Sequence, residues 1–296
     1  MREIVIGTRD SALALWQTRW VEEELKKNWP EYSFRVADIK TKGDKILDVA
    51  LAKIGDKGLF TKELEVWMLD GKIDLAVHSM KDVPTKLPEG LMIGAMCRRE
   101  DPGDVVVSHK GYKLRDLPHG AKVGTSSLRR RAQLLKYRPD LSLHDIRGNL
   151  NTRLAKMERE DFDAIILAAA GVKRMGWESK ITDYITYDVC LPAVGQGSIG
   201  IECRENDEEV LKIVRVLNDA DAFDAITGER AFLRKLEGGC QIPIGSLGVM
   251  EQEKMTLHGL VASIDGTTIL RDSIMGSRNE ADKLGWELAD KLIKMG

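Results

Sequence analysis

Three groups of residues in this sequence have the types and spacing that chemistry needs. The first is Cys240, in Leu236-Glu237-Gly238-Gly239-Cys240-Gln241-Ile242-Pro243-Ile244-Gly245. A helix-like run over about 225–236 ends at two glycines and a strand-like run begins near Gly245, so the thiol falls on a tight loop. With no side chains on Gly238 and Gly239 and with Pro243 stiffening the exit, the sulfur can stand clear as an attachment point. The alternative is a buried thiol acting as a small apolar side chain, the commoner fate of a lone cysteine.

The second group is His78-Ser79-Met80-Lys81-Asp82-Val83-Pro84, directly after a short buried-type strand over 73–77. In an open α/β sheet, ligands gather at the carboxyl ends of strands. Asp82, beside Lys81 and ahead of a rigid proline, suits a carboxylate held in a cleft as acid, base or cation stabiliser. A surface turn with a routine Lys–Asp pair, and a structural His78, is the competing account.

The third group is a recurrence of strand, small or hydroxyl residues, helix and arginine. It occurs at Gly7-Thr8-Arg9-Asp10-Ser11 and at Gly124-Thr125-Ser126-Ser127-Leu128-Arg129-Arg130-Arg131. It returns at Arg147-Gly148-Asn149, which leads into a helix carrying Arg153. Free backbone N–H groups at such helix starts point at anions. Arginines there oppose the helix dipole, and bound anions offset that cost. One such run is usually a solvated face; three at strand ends suggest a polyanionic ligand, and arginine favours carboxylate or phosphate forks. No G-x-x-x-x-G-K-[ST] occurs and no G-x-G-x-x-G follows a strand, which disfavours nucleotide phosphates. The Gly-punctuated basic stretch 51–60, with Lys53, Lys57 and Phe60, is either a mobile lid over an anionic ligand or an ordinary surface loop.

The elements that must position these groups follow from length and pattern. A chain of 296 residues, 43% hydrophobic and 31% charged, is a globular protein of two or three domains. A net charge of −2 leaves no global basic field for nucleic acid or an acidic membrane surface. Cys97, Cys190, Cys203 and Cys240 form no C-x-x-C pair, which argues against a metal site or disulfide framework and for a reducing compartment. The start reads as a strand rather than a signal peptide, and no apolar run is long enough to span a bilayer, so a cytoplasmic protein is expected. The charged Pro-Gly turn 98–104 marks one boundary, and Leu191-Pro192-Ala193-Val194-Gly195-Gln196-Gly197 returns the chain to the first lobe. The expected fold is α/β: a first lobe of residues 1–99 and 198–217, a second of 100–197, and a hinged cleft between them. A small C-terminal α+β domain, 218–296, follows, with a helix over about 225–236 and strands near 246–250, 255–264 and 268–275. Asp265-Gly266 signals a hairpin there, and a final helix covers about 280–295.

Taken together and in this order, the motifs resemble the porphobilinogen deaminase (hydroxymethylbilane synthase) family. The match runs through Gly7-Thr8-Arg9, Lys57-Gly58-Leu59-Phe60, His78 to Pro84, Gly124 to Arg130, Arg147-Gly148-Asn149, Leu191 to Gly197 and Glu237 to Gly245. Departures such as Ser198 after Gly197, and Asp10 and Ala12 around Ser11, fall between functional positions. The resemblance implies two periplasmic-binding-protein-like lobes, and a transferase, monomeric and needing no metal, that uses neither nucleic acid nor membrane. It implies that Cys240 carries a dipyrromethane cofactor through a thioether, as a primer for adding four porphobilinogens with loss of ammonia, before water releases the tetrapyrrole. Asp82 would be the catalytic group, binding pyrrole N–H and stabilising positive charge. Lys81, Asp82, Thr125, Ser126, Ser127, Arg129, Arg130, Arg147 and Gly148 would hold the cofactor. Arg9, Ser11, Lys53, Lys57, Phe60, Arg147, Arg153 and Gln196 would meet the substrate and the growing chain. The rivals are a solute-binding module, a cysteine hydrolase using one of the five histidines as base, and an arginine-run nucleic-acid binder, which the charge balance disfavours.

Overall fold

The computed structural model describes residues 2–39, 61–236 and 242–296. Cys240, Lys53, Lys57 and Phe60, and with them the expected lid, lie outside the described residues. In chain order the first elements are β1 (Glu3–Arg9), α1 (Ala12–Asn28), β2 (Ser33–Ile39), α2 (Lys62–Leu69), β3 (Leu75–Ser79) and β4 (Leu91–Met96). Next come β5 (Asp104–Val107), β6 (Lys122–Gly124), α3 (Leu128–Tyr137), β7 (Ser142–His144), α4 (Leu150–Arg159), β8 (Ala164–Ala168), α5 (Ala169–Arg174) and β9 (Ile181–Ile185). The chain closes with β10 (Ile199–Arg204), α6 (Glu208–Arg215), α7 (Ala220–Lys235), β11 (Ile244–Glu251), β12 (Lys254–Ala262), β13 (Ile269–Ser277) and α8 (Ala281–Met295).

These elements fall into two compact units. One holds the described residues up to 100 together with 198–223; the other holds 101–197 and 224–296. The first unit is a five-stranded sheet in the order β2-β1-β3-β10-β4. Strand β1 runs parallel to β2 and β3, whereas β10 is antiparallel to both β3 and β4. The second unit contains a sheet of the same design, β7-β6-β8-β5-β9, with β5 as its antiparallel member. In each sheet the antiparallel strand is the one supplied by a chain crossing, β10 on the return and β5 on the way out.

Period-2 alternation explains why both sheets are covered on two faces. In the first, Ile4, Ile6, Leu75 and Val77 pack with Val21 and Leu25 of α1 and Val210 and Val214 of α6. Ala76, one residue out of phase, packs on the other face with Leu64 and Met68 of α2. In the second, Val106 and Ile166 face one core with Leu134, while Val105, Val107, Ile165 and Leu167 face another with Met157 and Phe162.

The rest of the second unit is a three-stranded antiparallel sheet, β11-β12-β13. Phe232 of α7 and Leu284, Leu288 and Leu292 of α8 bury against Met255 and Leu257 of this sheet. A smaller core, Ala132 with Leu191, Leu247, Leu260 and Ala262, ties α3 to the C-terminal sheet. The helix before the Cys240 stretch begins at Ala220, five residues earlier than its apolar pattern suggested, because the Asp219 carboxylate accepts from the Ala222 N–H at 2.8 Å and caps it. Asp265-Gly266 does turn the β12–β13 hairpin, but within a longer loop, with Ser263 N–H donating to the Thr268 carbonyl at 2.9 Å. Strands β5 and β9 and helices α5 and α6 were not anticipated; β5 is only four residues long and adjoins the charged turn read as a boundary.

Helix α7 lies unusually close to β11. A Cβ placed on Gly248 would sit 2.9 Å from the Cα and 3.0 Å from the carbonyl oxygen of Ala225, backbone that cannot swing aside. Gly248→Ala should therefore push α7 off the sheet and destabilise the protein by about 1–3 kcal/mol, read as a lower midpoint in denaturant unfolding.

Candidate active site

The carboxyl ends of the parallel strands carry the polar groups, in two sets that are each internal to one unit. In the first unit, Arg9, Ser11, Gln17, Thr61, His78, Ser79 and Asp82 line a cavity of about 70 Å³, with Leu13, Ala14 and Val77. Ser11 is the N-cap of α1, its hydroxyl accepting from the Ala14 N–H at 3.3 Å, so the positive end of that helix opens beside Arg9. Strand β3 runs into a single 3₁₀ turn, Met80–Asp82, which leaves Lys81 and Asp82 exposed while Met80 is buried. The turn is pinned by the Met80 N–H donating to the Ser198 carbonyl (3.0 Å) and the Val83 N–H to the Met80 carbonyl (3.2 Å). Gln17, one and a half turns into α1, donates to the Ser79 hydroxyl at 3.0 Å. It was not singled out in the sequence; a glutamine on the sheet-facing side of an amphipathic helix was the available signal.

His78 is buried, and its Nε2 lies 2.9 Å from Glu202 Oε2 on β10. The pair shares a face of the sheet with Glu65 of α2, since His78 and Glu202 both alternate with residues of the opposite core. Burial raises the Glu65 carboxyl above its usual range, the Glu202 charge adds to that, and a hydrogen bond with Thr61 works against it. His78 is thus a braced, buried group at the cavity.

In the second unit, β6 and β7 are parallel neighbours and deliver two helix N-termini side by side. Thr125 is buried, its N–H donating to the His144 carbonyl at 2.8 Å and its hydroxyl accepting from the Ser127 N–H at 3.3 Å. Ser126 is a latch between the two loops: its hydroxyl donates to the Ile146 carbonyl (3.0 Å) and accepts from the Ile146 N–H (3.1 Å). Ser127 caps α3 and Asn149 caps α4. Gly148 sits at φ 117°, and a Cβ there would lie 2.5 Å from the Thr152 side chain, so the loop holding Arg147 requires glycine. Arg153 donates to the Gly148 carbonyl at 2.8 Å.

Arg129 and Arg130 are not on a solvated face. Both are only 5% exposed and both close on Asp104 at the start of β5. Arg130 gives Nε and Nη2 to Asp104 Oδ1 (3.0 and 2.7 Å) and Nη1 to the Ile166 carbonyl (2.9 Å). Arg129 Nη1 reaches Asp104 Oδ2 (2.8 Å) and the Leu191 carbonyl (2.6 Å). Burial alone would raise the Asp104 carboxyl, but the two guanidiniums outweigh it and hold the group well below the usual carboxylate range. The nearby Cys190 thiol is pushed up to about 12, chiefly by burial.

Two buried cations around one buried anion leave a surplus positive charge. Arg129 Nε and Arg147 Nη1 are buried with no hydrogen-bond partner among the described residues. That donor set fits a ligand carrying carboxylates. Arg130 and Ser126 are committed to the protein itself, so they hold the site's shape. Gln196, placed at the substrate by sequence, is buried with its amide donating to the Pro102 carbonyl (2.7 Å) and to Asp104 Oδ1 (2.8 Å). Asp104 is the residue that sequence reading passed over, because the Pro-Gly turn before it looked like a plain boundary.

Residues 4–212 match the family described as "Porphobilinogen deaminase, dipyromethane cofactor binding domain", and residues 223–294 match "Porphobilinogen deaminase, C-terminal domain". Curated relatives include the porphobilinogen deaminase of Moorella thermoacetica, 58% identical over 100% of this chain and 95% of its own. That of Desulforamulus reducens is 57% identical over 99% of this chain and 95% of its own. Among solved structures, a probable amino-acid ABC transporter extracellular-binding protein from Bacillus subtilis aligns at TM-score 0.44 and 15% identity, over 73% of this chain and 90% of its own. The two-part family match and the full-length identity together place this chain in the porphobilinogen deaminase family.

Proposed function

We propose that this protein is a hydroxymethylbilane synthase, a transferase that condenses four porphobilinogen units head to tail with release of ammonia and then hydrolyses the product to the linear tetrapyrrole. The observation that carries the reading is the surplus buried positive charge around Asp104, with orphaned guanidinium N–H groups at two adjacent helix starts. Pyrrole acetates and propionates are the anions such a site suits. A dipyrromethane joined to Cys240 would supply the ring carbon to which the first incoming unit is added, each later unit joining the ring added before it.

The roles of the residues follow from their surroundings. Arg129 Nε, Arg147 and the N–H groups at the starts of α3 and α4 offer direct bonds to cofactor carboxylates, and Thr125, Ser126, Ser127, Arg130 and Gly148 fix those donors in place. Arg9 and Ser11 receive substrate carboxylates at the first-unit cavity and the exposed Lys81 reaches those of the cofactor, with Arg153 and, outside the described residues, Lys53, Lys57 and Phe60 meeting the growing chain. Asp82, exposed at the end of the 3₁₀ turn, accepts pyrrole N–H, stabilises the positive charge that develops when ammonia leaves, and can carry the proton between ring carbon and leaving amine. We infer further that the protein acts as a cytoplasmic monomer without nucleic acid, in keeping with its balanced charge. No described helix is long and apolar enough to cross a membrane.

Intact mass of the denatured protein, before and after incubation with porphobilinogen, tests the reading. Added mass of two condensed pyrrole units mapping to Cys240 is expected; a chain that never gains it would instead be a solute-binding module. Asp82→Asn should keep that mass yet lose about a hundredfold or more in turnover, measured by tetrapyrrole formation. Asp104→Asn leaves two buried guanidiniums facing a neutral group and should destabilise the protein by about 3–5 kcal/mol at neutral pH. Because the folded carboxyl lies below its ordinary 3.8, its contribution is full above that value and fades as pH falls toward the folded value. The gap between native and variant unfolding midpoints should therefore shrink in strong acid.

A further inference from the structure

Glu229 is fully buried on α7, and no part of the chemistry above uses it. Its Oε2 accepts from the Gly195 N–H at 2.7 Å, and its Oε1 accepts from the Gly248 N–H at 2.8 Å. The three elements so joined are particular ones. Helix α7 ends just before the Cys240 stretch, β11 begins just after it, and Gly195 belongs to the 191–197 crossing.

The crossing is in turn fastened to the arginine pair. Its Leu191 carbonyl accepts from Arg129 Nη1, its Leu191 N–H donates to Gln133 Oε1 at 2.7 Å, and its Gln196 amide donates to Asp104 Oδ1. Its Pro192 carbonyl accepts from the Ser246 N–H of β11 at 3.0 Å. A Cβ on Gly245 would lie 3.0 Å from the Leu191 carbonyl oxygen, so the two backbones already touch. A continuous run of bonds therefore leads from α7 through Glu229, Gly195, Gln196 and Asp104 to Arg129 and Arg130.

We infer that Glu229 is a positioning residue for the cofactor, holding both flanks of the Cys240 stretch in one frame with the arginines that receive the cofactor's carboxylates. The inference rests on the functional reading above. Both carboxylate oxygens are needed, because two backbone N–H groups approach from different elements. A glutamine has one acceptor oxygen and would turn an NH₂ towards the second N–H. A buried ionised acceptor also makes shorter, stronger bonds than a neutral amide, and misplacement of a reacting group by even 1 Å slows reaction steeply.

Cofactor loading forms an S–C bond at Cys240 as the C–N bond of a porphobilinogen aminomethyl group breaks, the thiol proton leaving with ammonia. The rate of that step can be followed by intact mass on full-length protein made in cells without porphobilinogen, then given porphobilinogen as the probe. Folded Glu229→Gln should load about tenfold more slowly than the native chain. Loading of the folded fraction at the native rate, with only a lower unfolding midpoint, would mean that Glu229 is merely structural and would overturn the inference. If Glu229→Gln does not fold, Gln196→Met, at the other end of the same run of bonds, must load slowly too; native-rate loading there overturns it equally. A native chain that gains no mass would count against the functional reading itself, and so separates the two failures.

Discussion

Two guanidiniums closing on one buried carboxylate organise the second half of this molecule. Asp104 begins the strand on which the chain enters the second lobe, and it draws in Arg129 and Arg130 from the first turn of α3. A helix start is an unfavourable place for two arginines, and the dipole alone would push them outwards. The shared aspartate reverses that, at the expense of burying three charges, only two of which cancel. An uncompensated charge in the interior is costly unless further hydrogen bonds satisfy it, and here carbonyls of Leu191 and Ile166 accept from the pair. The surplus that remains is of one sign.

The first lobe solves a different problem with a similar sheet. Its strand ends carry an exposed carboxylate on a 3₁₀ turn rather than a buried cation pair. Beneath that turn, His78 and Glu202 bond across β3 and β10, and Met80 fills the space that Gly200 leaves open. The 3₁₀ turn is consequently anchored to a strand that arrives only after the chain has built the other lobe, so its geometry depends on residues more than a hundred positions away.

Much of this was legible in the sequence. The strand–loop–helix recurrences at Gly7, Gly124 and Arg147 located three helix starts, and Ser11, Ser127 and Asn149 all proved to be caps. Local spacing carries such information because a cap bonds only a few residues away. What sequence left open is non-local. Asp104, Glu202 and Glu229 act on partners 19 to 124 residues distant, and little near them in the chain marks them. Glu202 alone carries a local sign, an acidic residue in an otherwise apolar run, Ile199-Gly200-Ile201-Glu202-Cys203. The arginines stood out by their spacing, but not the division between those with a buried N–H left over, Arg129 and Arg147, and those like Arg130 that bond within the fold.

The buried cysteines have a consequence of their own. Cys97, Cys190 and Cys203 are all sealed in the cores, and burial pushes the thiols of Cys190 and Cys203 up to about 12. A thiol in that state holds no nucleophilic population near neutral pH. The fold therefore gains chemoselectivity at these three positions by concealment, since a sulfur sealed in a core is out of reach of an electrophile whatever its intrinsic reactivity.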